Sequence, residues 1–442
     1  LSSLTASRTF SGGIHPPDNK LTKDEAIEEI TPNRDLIVPL SQHLGTPAKP
    51  VVEQGDRVKQ GQKIGEAQGF VSSPVHAPTS GEVKKIAPLP HPSGSEVSGI
   101  KIEPDGEDSS VEFARRNPEK LSGEEIVEAI QEAGIVGMGG AAFPTHVKLS
   151  PPEDTEIDTL IINGAECEPY LTADFRLMLE EPEVLVKGTQ LVADLLGVEK
   201  VYFGIEDNKH QAVEAMESST EGVIEVAELP TKYPQGWEKT LIKALTGREV
   251  PLDGLPLDVG IVVQNVGTIK AVWDAVRNGK PLTERVITAT GEINRPGNYR
   301  VRIGTSWRDL LDQLGGFQGG NPAKLIDGGP MMGDTQPNRE SPIVKSTSGV
   351  LALNKEAAVK REPSPCIRCG KCVDVCPAGL LPTSIYKSVK SGDVEQAREL
   401  DATACCECGS CTYVCPSEIP LVQWIVQGKG EINQLEEEEE ED

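Results

Sequence analysis

The sequence predicts a multidomain chain of mixed α+β and α/β class. Three observations carry that prediction. The chain has 442 residues, a length that suggests about three domains. Its middle part alternates apolar strand-like runs with helical stretches, the pattern of helices laid on a mostly parallel sheet. Ahead of that part lie short strands punctuated by glycine turns, and behind it stand eight regularly spaced cysteines.

Charge and hydropathy narrow the function classes. The formal net charge is −26, and the last seven residues, 436–442, are all acidic. That end reads as a solvated, disordered tail, 431–442. The remainder is still acidic, which argues against nucleic acid and against an anionic lipid surface as direct partners. No apolar run approaches the ~20 residues of a membrane helix. Residues 1–10 lack the long apolar core of a secretory leader. Cysteines at cluster spacing imply a reducing compartment. A cytoplasmic chain is expected, one that docks on a membrane assembly through protein contacts.

Residues 1–35 read as an extended arm, broken at Gly12-Gly13, Pro16-Pro17 and Pro32, with a short helix expected near 22–30. From 36 to 110 the pattern is short β, with turn signals at Gly45, Gly55-Asp56, Gly61, Gly65 and Ser80-Gly81. Two stretches there, 52–62 and 73–83, look like halves of one motif and resemble the biotinyl/lipoyl-type barrel-sandwich hybrid. The hairpin between them, Phe70-Val71-Ser72-Ser73, offers no lysine for a covalent carrier group, so a structural module is expected. His76 has no second ligand at metal spacing and reads as a packed turn residue.

A helix follows, with Ser122 and Glu125 as a capping box, an apolar stripe of Ile126, Val127, Ala129 and Ile130, and Gly134 to close it. Next comes Gly137-Met138-Gly139-Gly140-Ala141-Ala142-Phe143-Pro144-Thr145-His146-Val147-Lys148. Closely spaced glycines let backbone N–H groups approach a phosphate or a flat ring, and Lys148 supplies charge. A glycine-rich turn without a ligand has the same composition. The apolar run 157–162 reads as a buried strand and ends in Asn163-Gly164-Ala165-Glu166-Cys167-Glu168-Pro169. Ligands of open α/β sheets sit beyond the carboxyl ends of strands, so these polar residues stand in the right place. A helical region over 173–196 is interrupted by Pro182. Further strands are expected at 201–205, 223–229 and 257–263, the last ending in Gln264-Asn265 before a helix to about 278. Together, 115–280 form an α/β domain.

Residues 283–335 change character. Two β runs flank Asn294-Arg295-Pro296-Gly297, a short amphipathic helix spans 307–314, and Asp327-Gly328-Gly329-Pro330-Met331-Met332-Gly333 reads as a flexible connection whose methionines serve packing.

The domain 355–430 contains Cys366-x2-Cys369-x2-Cys372-x3-Cys376-Pro377 and Cys405-x2-Cys408-x2-Cys411-x3-Cys415-Pro416. Both match the bacterial run that holds [4Fe–4S] clusters, in which the fourth cysteine ligates the other cluster. Cluster one then takes Cys366, Cys369, Cys372 and Cys415. Cluster two takes Cys405, Cys408, Cys411 and Cys376. Three thiolates in a tight loop face three corners of a cube, and the fourth corner must be reached from elsewhere. Gly370 and Gly409 let each loop curl, and Pro377 and Pro416 turn the fourth cysteine aside. Disulfides would need an oxidising compartment, and zinc sites show separated Cys-x2-Cys pairs. Cys406 is out of register and reads as a spare thiol.

Taken together, these residues resemble a known family. Gly137-x-Gly139-Gly140-x-x-Phe143-Pro144-Thr145-x-x-Lys148 followed by Asn163-x-x-Glu166-x-Glu168-Pro169 is similar to the flavin- and NADH-binding subunit of respiratory complex I. A hybrid domain stands before it, and a β-grasp module of the soluble-ligand-binding type and two ferredoxin-like runs stand after it. That order of domains resembles the RnfC subunit of the Rnf complex, an ion-translocating ferredoxin:NAD oxidoreductase. The resemblance implies non-covalent FMN and an NAD(H) site in the α/β domain. It places the flavin against Gly137, Gly139, Gly140, Lys148, Asn163 and Glu166. Tyr233-x-x-Gly236-x-Glu238 and Gln264-Asn265 match further flavin-facing stretches. Phe143 would lie near the adenine or the flavin, and Glu168 near the nicotinamide. Departures are Met138 for arginine, Ala142 for glycine, Ala165 for aspartate and Gln264 for asparagine. Cys167 lies inside the flavin loop and reads as a packing residue.

The resemblance further implies that hydride passes from cofactor to cofactor, with no side chain as general acid or base. It implies partners among the other subunits of the membrane Rnf complex, including a ferredoxin-like iron–sulfur subunit, and a peripheral place on the inner (cell) membrane. One alternative is a flavin-dependent cobalamin (corrin) reductase of the propanediol-utilisation type, whose hybrid-like domain is expected at the other end of the chain. Another is a flavin-free two-cluster electron-transfer scaffold.

Overall fold

The computed structural model describes residues 8–152, 154–220, 224–358 and 362–441. The expected strand start at Val223, the first seven residues of the arm, 359–361 of the cluster domain and Asp442 lie outside them.

A four-stranded parallel sheet forms the centre, in the order Ile224–Leu229, Lys200–Glu206, Thr159–Gly164, Ile261–Asn265. The continuous apolar run of the third of these strands suits burial on both faces. The pleat sends Leu160 and Ile162 to one core, with Val192 and Val272 from the helices Pro182–Leu196 and Val266–Asn278. It sends Ile161 to the other, with Leu241 and Ile242 from the helix Glu238–Thr246. Pro182 starts a second helix at its first position, where its missing N–H costs nothing. The expected strand at 257–263 splits into a short 3-10 turn, Pro256–Val259, and Ile261–Asn265, with Gly260 at φ 72° between them. Ser122 and Glu125 form the capping box.

The N-terminal module consists of two small sheets, Leu36–Pro39/Glu96–Pro104/Gly81–Pro90/Arg57–Val58 and Lys49–Pro50/Lys63–Glu66/Val75–His76. They close on a core that includes Leu36, Ile64, Val83 and Ile102. The hairpin tip at Phe70 docks on the α/β domain. His146 Nε2 donates to the Phe70 carbonyl at 3.0 Å, and the two rings meet edge to face.

The third module holds a six-stranded sheet in the order Ile27–Ile30, Gly297–Arg302, Glu284–Gly291, Gly349–Leu353, Lys324–Asp327, Asp334–Gln336. The helix Trp307–Gln313 packs on it through Trp307, Leu310 and Leu311. Two expectations are corrected here. Residues 22–30 hold no helix: Ile27–Ile30 pairs in parallel with 298–301. The open edge of that strand supplies backbone partners, and Arg295 and Arg300 pair with Glu28 and Glu29, so tertiary contacts override a helical composition. Nor is 327–333 a loose connection. It is the tight turn of a hairpin in which Asp327 faces Asp334, closed by a Gly333 N–H to Gly329 carbonyl bond of 3.0 Å.

The C-terminal module is helical, and the acidic end is its continuation rather than a disordered tail. One helix runs Leu421–Glu441. Ile425 and Ile432 bury its inner face with Ile385 and Val389, and Glu439 reaches Arg398 at 3.2 Å. Glutamate favours helix, and this anchored stem supplies the nucleus that an isolated acidic peptide lacks.

Candidate functional site

The site lies at the carboxyl ends of the central strand Thr159–Gly164 and its edge neighbour Ile261–Asn265. The glycine turn folds back on itself through a Gly137 N–H to Phe143 carbonyl bond of 2.8 Å and is tied down where Met138 N–H meets Thr268 Oγ1 at 2.9 Å. Its tip, at Gly139 and Gly140, is exposed. A Cβ at Gly139 would sit 3.0 Å from Asn265 Nδ2, while one at Gly140 would meet nothing. The backbone therefore approaches the Asn265 side chain closely enough to crowd any larger residue there.

Asn265 caps the following helix, its Oδ1 accepting from Gly267 N–H at 2.8 Å. Its Nδ2 donates to Asp174 at 2.7 Å. Burial, helped by Glu166, pushes Asp174 up to about 6. Asn163 donates to the Gly236 carbonyl at 2.9 Å, which joins the strand end to the Tyr233–Glu238 stretch. Lys148 pairs with Glu238. These contacts bring Gly137, Gly139, Gly140, Phe143, Lys148, Asn163, Glu166, Gly236, Glu238 and Asn265 into one neighbourhood.

Three of the expected residues have other uses. Glu166, at φ 45°, accepts from the Asp174 and Phe175 N–H groups at 2.7 and 3.2 Å and caps the helix Ala173–Glu180. Glu168 accepts from Met331 and Met332 N–H at 3.2 and 2.8 Å, and burial pushes its carboxyl up to about 7. Tyr233 is buried, and its hydroxyl donates to the Cys408 carbonyl at 2.9 Å.

Sequence reading missed two lysines beneath this loop. Lys20 of the arm donates to the carbonyls of Glu166, Glu168 and Leu171 at 2.7, 2.9 and 2.5 Å. Buried Lys209 donates to Ala165 at 2.6 Å and pairs with Glu206 at 3.1 Å. No motif marks either residue; Lys209 in Glu206-Asp207-Asn208-Lys209 at a strand end was the one available signal. It also missed Gln235. Among the described residues, Gln235 Nε2 and Oε1 and Gln264 Nε2 are buried without a partner. Buried polar atoms are ordinarily paired, so these orphaned amides leave hydrogen-bonding capacity that suits a polar ligand such as a flavin.

The two cysteine runs fold alike. Arg368 and Glu407 have φ 59° and 60°, and Gly370 and Gly409 have φ 79° and 73°. Each loop enters a short helix, Lys371–Asp374 or Ser410–Tyr413. Arg368 N–H points to Cys366 Sγ, and Glu407 N–H to Cys405 Sγ, both at 3.4 Å. Cys376 lines the same apolar void as Cys405, Cys408 and Cys411. Cys415 packs with Cys366 and Cys372, and a Ser364 N–H to Ser417 carbonyl bond of 2.9 Å ties these loops together. Among the described residues no three His, Cys, Asp or Glu side chains close on a single metal ion; thiolates spread around a void suit a cube of iron and sulfide. Burial pushes Cys405 up to about 11 and Cys411 up to about 12, and bound iron is what draws such thiols into the thiolate form.

The second cysteine loop meets the 163–169 loop and the 233–238 stretch directly. Cys408 packs with Tyr233 and Ile14, against Cys167, Cys406 and Met331. Gly236 N–H donates to Cys167 Sγ at 3.2 Å, so Cys167 sits in the packing between the two halves. Among the described residues no helix is long and apolar enough to cross a membrane.

Comparison with known proteins agrees domain by domain. Residues 8–107 match the RnfC barrel sandwich hybrid domain, 130–274 the Nuo51 FMN-binding domain, 286–335 the SLBB domain and 365–419 the 4Fe-4S dicluster domain. The C-subunit of the proton-translocating ferredoxin:NAD(+) oxidoreductase complex of Clostridium ljungdahlii is 50% identical over 89% of this chain and 87% of its own length. Its Na(+)-translocating counterpart in Acetobacterium woodii is 47% identical, over 85% of this chain and 86% of its own. The equivalent protein of the ion-translocating oxidoreductase complex of Rhodobacter capsulatus is 45% identical, over 96% of this chain and 83% of its own. Among solved structures, an NAD+-reducing [NiFe]-hydrogenase in the H2-reduced state shares the fold, with TM-score 0.52 and 20% identity over 71% of this chain and 63% of that one. By these identities and this order of domains, the chain belongs to the RnfC family of the ion-translocating ferredoxin:NAD(+) oxidoreductases.

Proposed function

We propose that the chain is the electron-transfer subunit of a membrane-bound, ion-translocating ferredoxin:NAD oxidoreductase, linking NAD(H), FMN and two [4Fe–4S] clusters. The observation that carries this reading is the contact between the two halves: Tyr233, in a flavin-facing stretch, bonds the backbone of Cys408, in the second cysteine loop. Bound FMN supplies the exchange between a hydride pair and single electrons.

The chain's own residues bind and orient. The tip of the glycine turn presents the backbone of Gly139 and Gly140, and Lys148 brings a cation held by Glu238. Gln264 and Gln235 carry the unpaired amides, while Asn163 and Asn265 hold the surrounding backbone and Asp174 in place. Phe143 would lie near the adenine or the flavin. Glu166 and Glu168 stabilise the loop by accepting backbone N–H groups. Cys366, Cys369, Cys372 and Cys415 hold cluster one; Cys405, Cys408, Cys411 and Cys376 hold cluster two. No side chain needs to act as general acid or base. Ion translocation falls to partner subunits, through which this chain sits peripherally on the inner (cell) membrane.

An anaerobic absorbance titration of the FMN- and cluster-loaded chain with NADH tests the reading. Bleaching of the flavin band followed by cluster reduction is the expected result. Intact clusters with no flavin retained and no response to NADH would overturn it and leave a two-cluster scaffold.

A further inference from the structure

The two cysteine loops share a backbone but not an environment. Cys366-Ile367-Arg368-Cys369-Gly370-Lys371-Cys372 aligns with Cys405-Cys406-Glu407-Cys408-Gly409-Ser410-Cys411. In the second loop Cys408 is 6% exposed. A Cβ at Gly409 would sit 3.2 Å from the Met331 carbonyl, and Glu407 is held by Lys429 at 2.5 Å. The N-terminal arm covers Cys376, the fourth cysteine assigned to that site, with Gly13 N–H on the adjacent Val375 carbonyl at 2.9 Å. The first loop is bare. Cys369 is exposed, a Cβ at Gly370 would meet nothing, and Ile367 is 68% exposed. The charged ends of Arg368 and Lys371 have no ion pair or side-chain hydrogen bond among the described residues. From 362 to 391 the chain carries four Lys/Arg and two Asp/Glu, against a total formal charge of −26.

We propose that the loop Ile367–Lys371 is the docking face for a one-electron carrier protein with an acidic rim around an apolar centre, making cluster one the outer port of the chain. The proposal deepens the electron-transfer reading and rests on it. A cluster held by the exposed Cys369 would exchange single electrons through this loop, so the partner must be a one-electron carrier. One electron leaves the reduced partner and arrives at this loop; no bond forms or breaks and no proton moves. Ile367 supplies the apolar centre, with Arg368 and Lys371 beside it. An acidic partner is repelled by most of this molecule, so a local cationic face both steers it and selects the loop. A cluster held by the second loop, which the arm and the 328–333 turn cover, would then be the one on the flavin side.

The test mixes the FMN- and cluster-loaded chain anaerobically with a reduced, acidic two-[4Fe–4S] ferredoxin as probe and follows reduction by rapid mixing. The wild-type rate should fall as salt rises. Arg368→Glu with Lys371→Glu should lower it roughly tenfold or more at low ionic strength and remove most of the salt dependence. Glu407 occupies the equivalent of Arg368 in the second loop with nearly the same φ, so the loop accepts glutamate there. Arg368→Gln with Lys371→Gln should give a smaller loss of the same sign. Unchanged iron content and an unchanged rate of flavin reduction by NADH identify the loss as one of docking. Equal probe rates in wild type and charge-reversed protein at every salt concentration, with NADH reduction intact, would overturn the proposal. A wild-type protein that NADH does not reduce would instead overturn the electron-transfer reading itself.

Discussion

The Tyr233 hydroxyl donates to the Cys408 carbonyl at 2.9 Å, although 175 residues separate them. The bond joins the α/β domain to the second cysteine loop at a buried point. Tyr233→Phe keeps the ring but leaves that carbonyl unpaired, at a cost of about 1–3 kcal/mol. Iron content and the rate of flavin reduction by NADH should match wild type, while transfer onward to the clusters slows and Tm falls by a few degrees. Stopped-flow absorbance at flavin and cluster wavelengths separates the two steps. Wild-type rates in both would reduce the contact to packing.

Lys20 acts on the same loop from the opposite direction. Burial lowers its pKa, with Lys209 adding to the effect, yet its three carbonyl acceptors keep the ammonium in place. Lys20→Met strips the Glu166, Glu168 and Leu171 carbonyls of their shared donor. A loss of about 1–3 kcal/mol in loop order should weaken FMN binding roughly tenfold or more, read from the recovery of flavin fluorescence on dilution. An unchanged FMN affinity would show that the loop holds its shape without the arm.

The sequence displayed what local chemistry dictates. Three thiolates around one cube must lie within a single loop, so Cys366 to Cys372 and Cys405 to Cys411 were legible from spacing. The run 157–162 announced a buried strand because both of its faces are covered, and the polar residues after it followed from the geometry of open sheets. What could not be read depends on partners far along the chain. Lys20 meets residues 166–171, Ile27–Ile30 finds its edge near 300, and Tyr233 finds Cys408. None of these segments has a composition that names its partner. The acidic end misled for a related reason: its charge is visible in the sequence, but the Ile425 and Ile432 contacts that hold its helix are not.

The crossed assignment of the fourth cysteines yields a paired prediction. Cys376 lines the void beside Cys405, Cys408 and Cys411, whereas Cys415 lies in the apolar cluster that holds Cys366 and Cys372 together with Cys411. Cys376→Ser should therefore damage the cluster next to the flavin, and Cys415→Ser the outer one. Iron should drop from about eight toward about four per chain in each. With Cys415→Ser, NADH should still reduce the remaining cluster. With Cys376→Ser, NADH should bleach the flavin while the remaining cluster stays oxidised. Electron paramagnetic resonance after NADH addition distinguishes the two, and the reverse pattern would show that each run ligates its own cluster.

Lys345 supplies a pH signature of domain assembly. Its ammonium is fully enclosed and donates to Ser73 Oγ, the Pro74 carbonyl and the Gly134 carbonyl at 3.2, 2.8 and 2.7 Å, which joins the hybrid module to the α/β domain. Burial pulls its pKa from 10.5 down to about 7. The folded state thus binds fewer protons than the unfolded one between about pH 7 and 10.5. Stability from this group rises with pH across that window, and it is lost again as pH falls back to 7. Lys345→Met removes the titration together with the hydrogen bonds of the amine, which keeps two N–H donors near the upper end of the window, at a cost of about 1–3 kcal/mol there. The gap in urea midpoint between wild type and Lys345→Met should widen from pH 7 toward pH 10, because the wild type sheds the penalty of a buried charge and the methionine variant has none to shed. A gap that stays constant over that range would mean that the ammonium remains protonated in the folded chain, held by its three acceptors against the cost of burial.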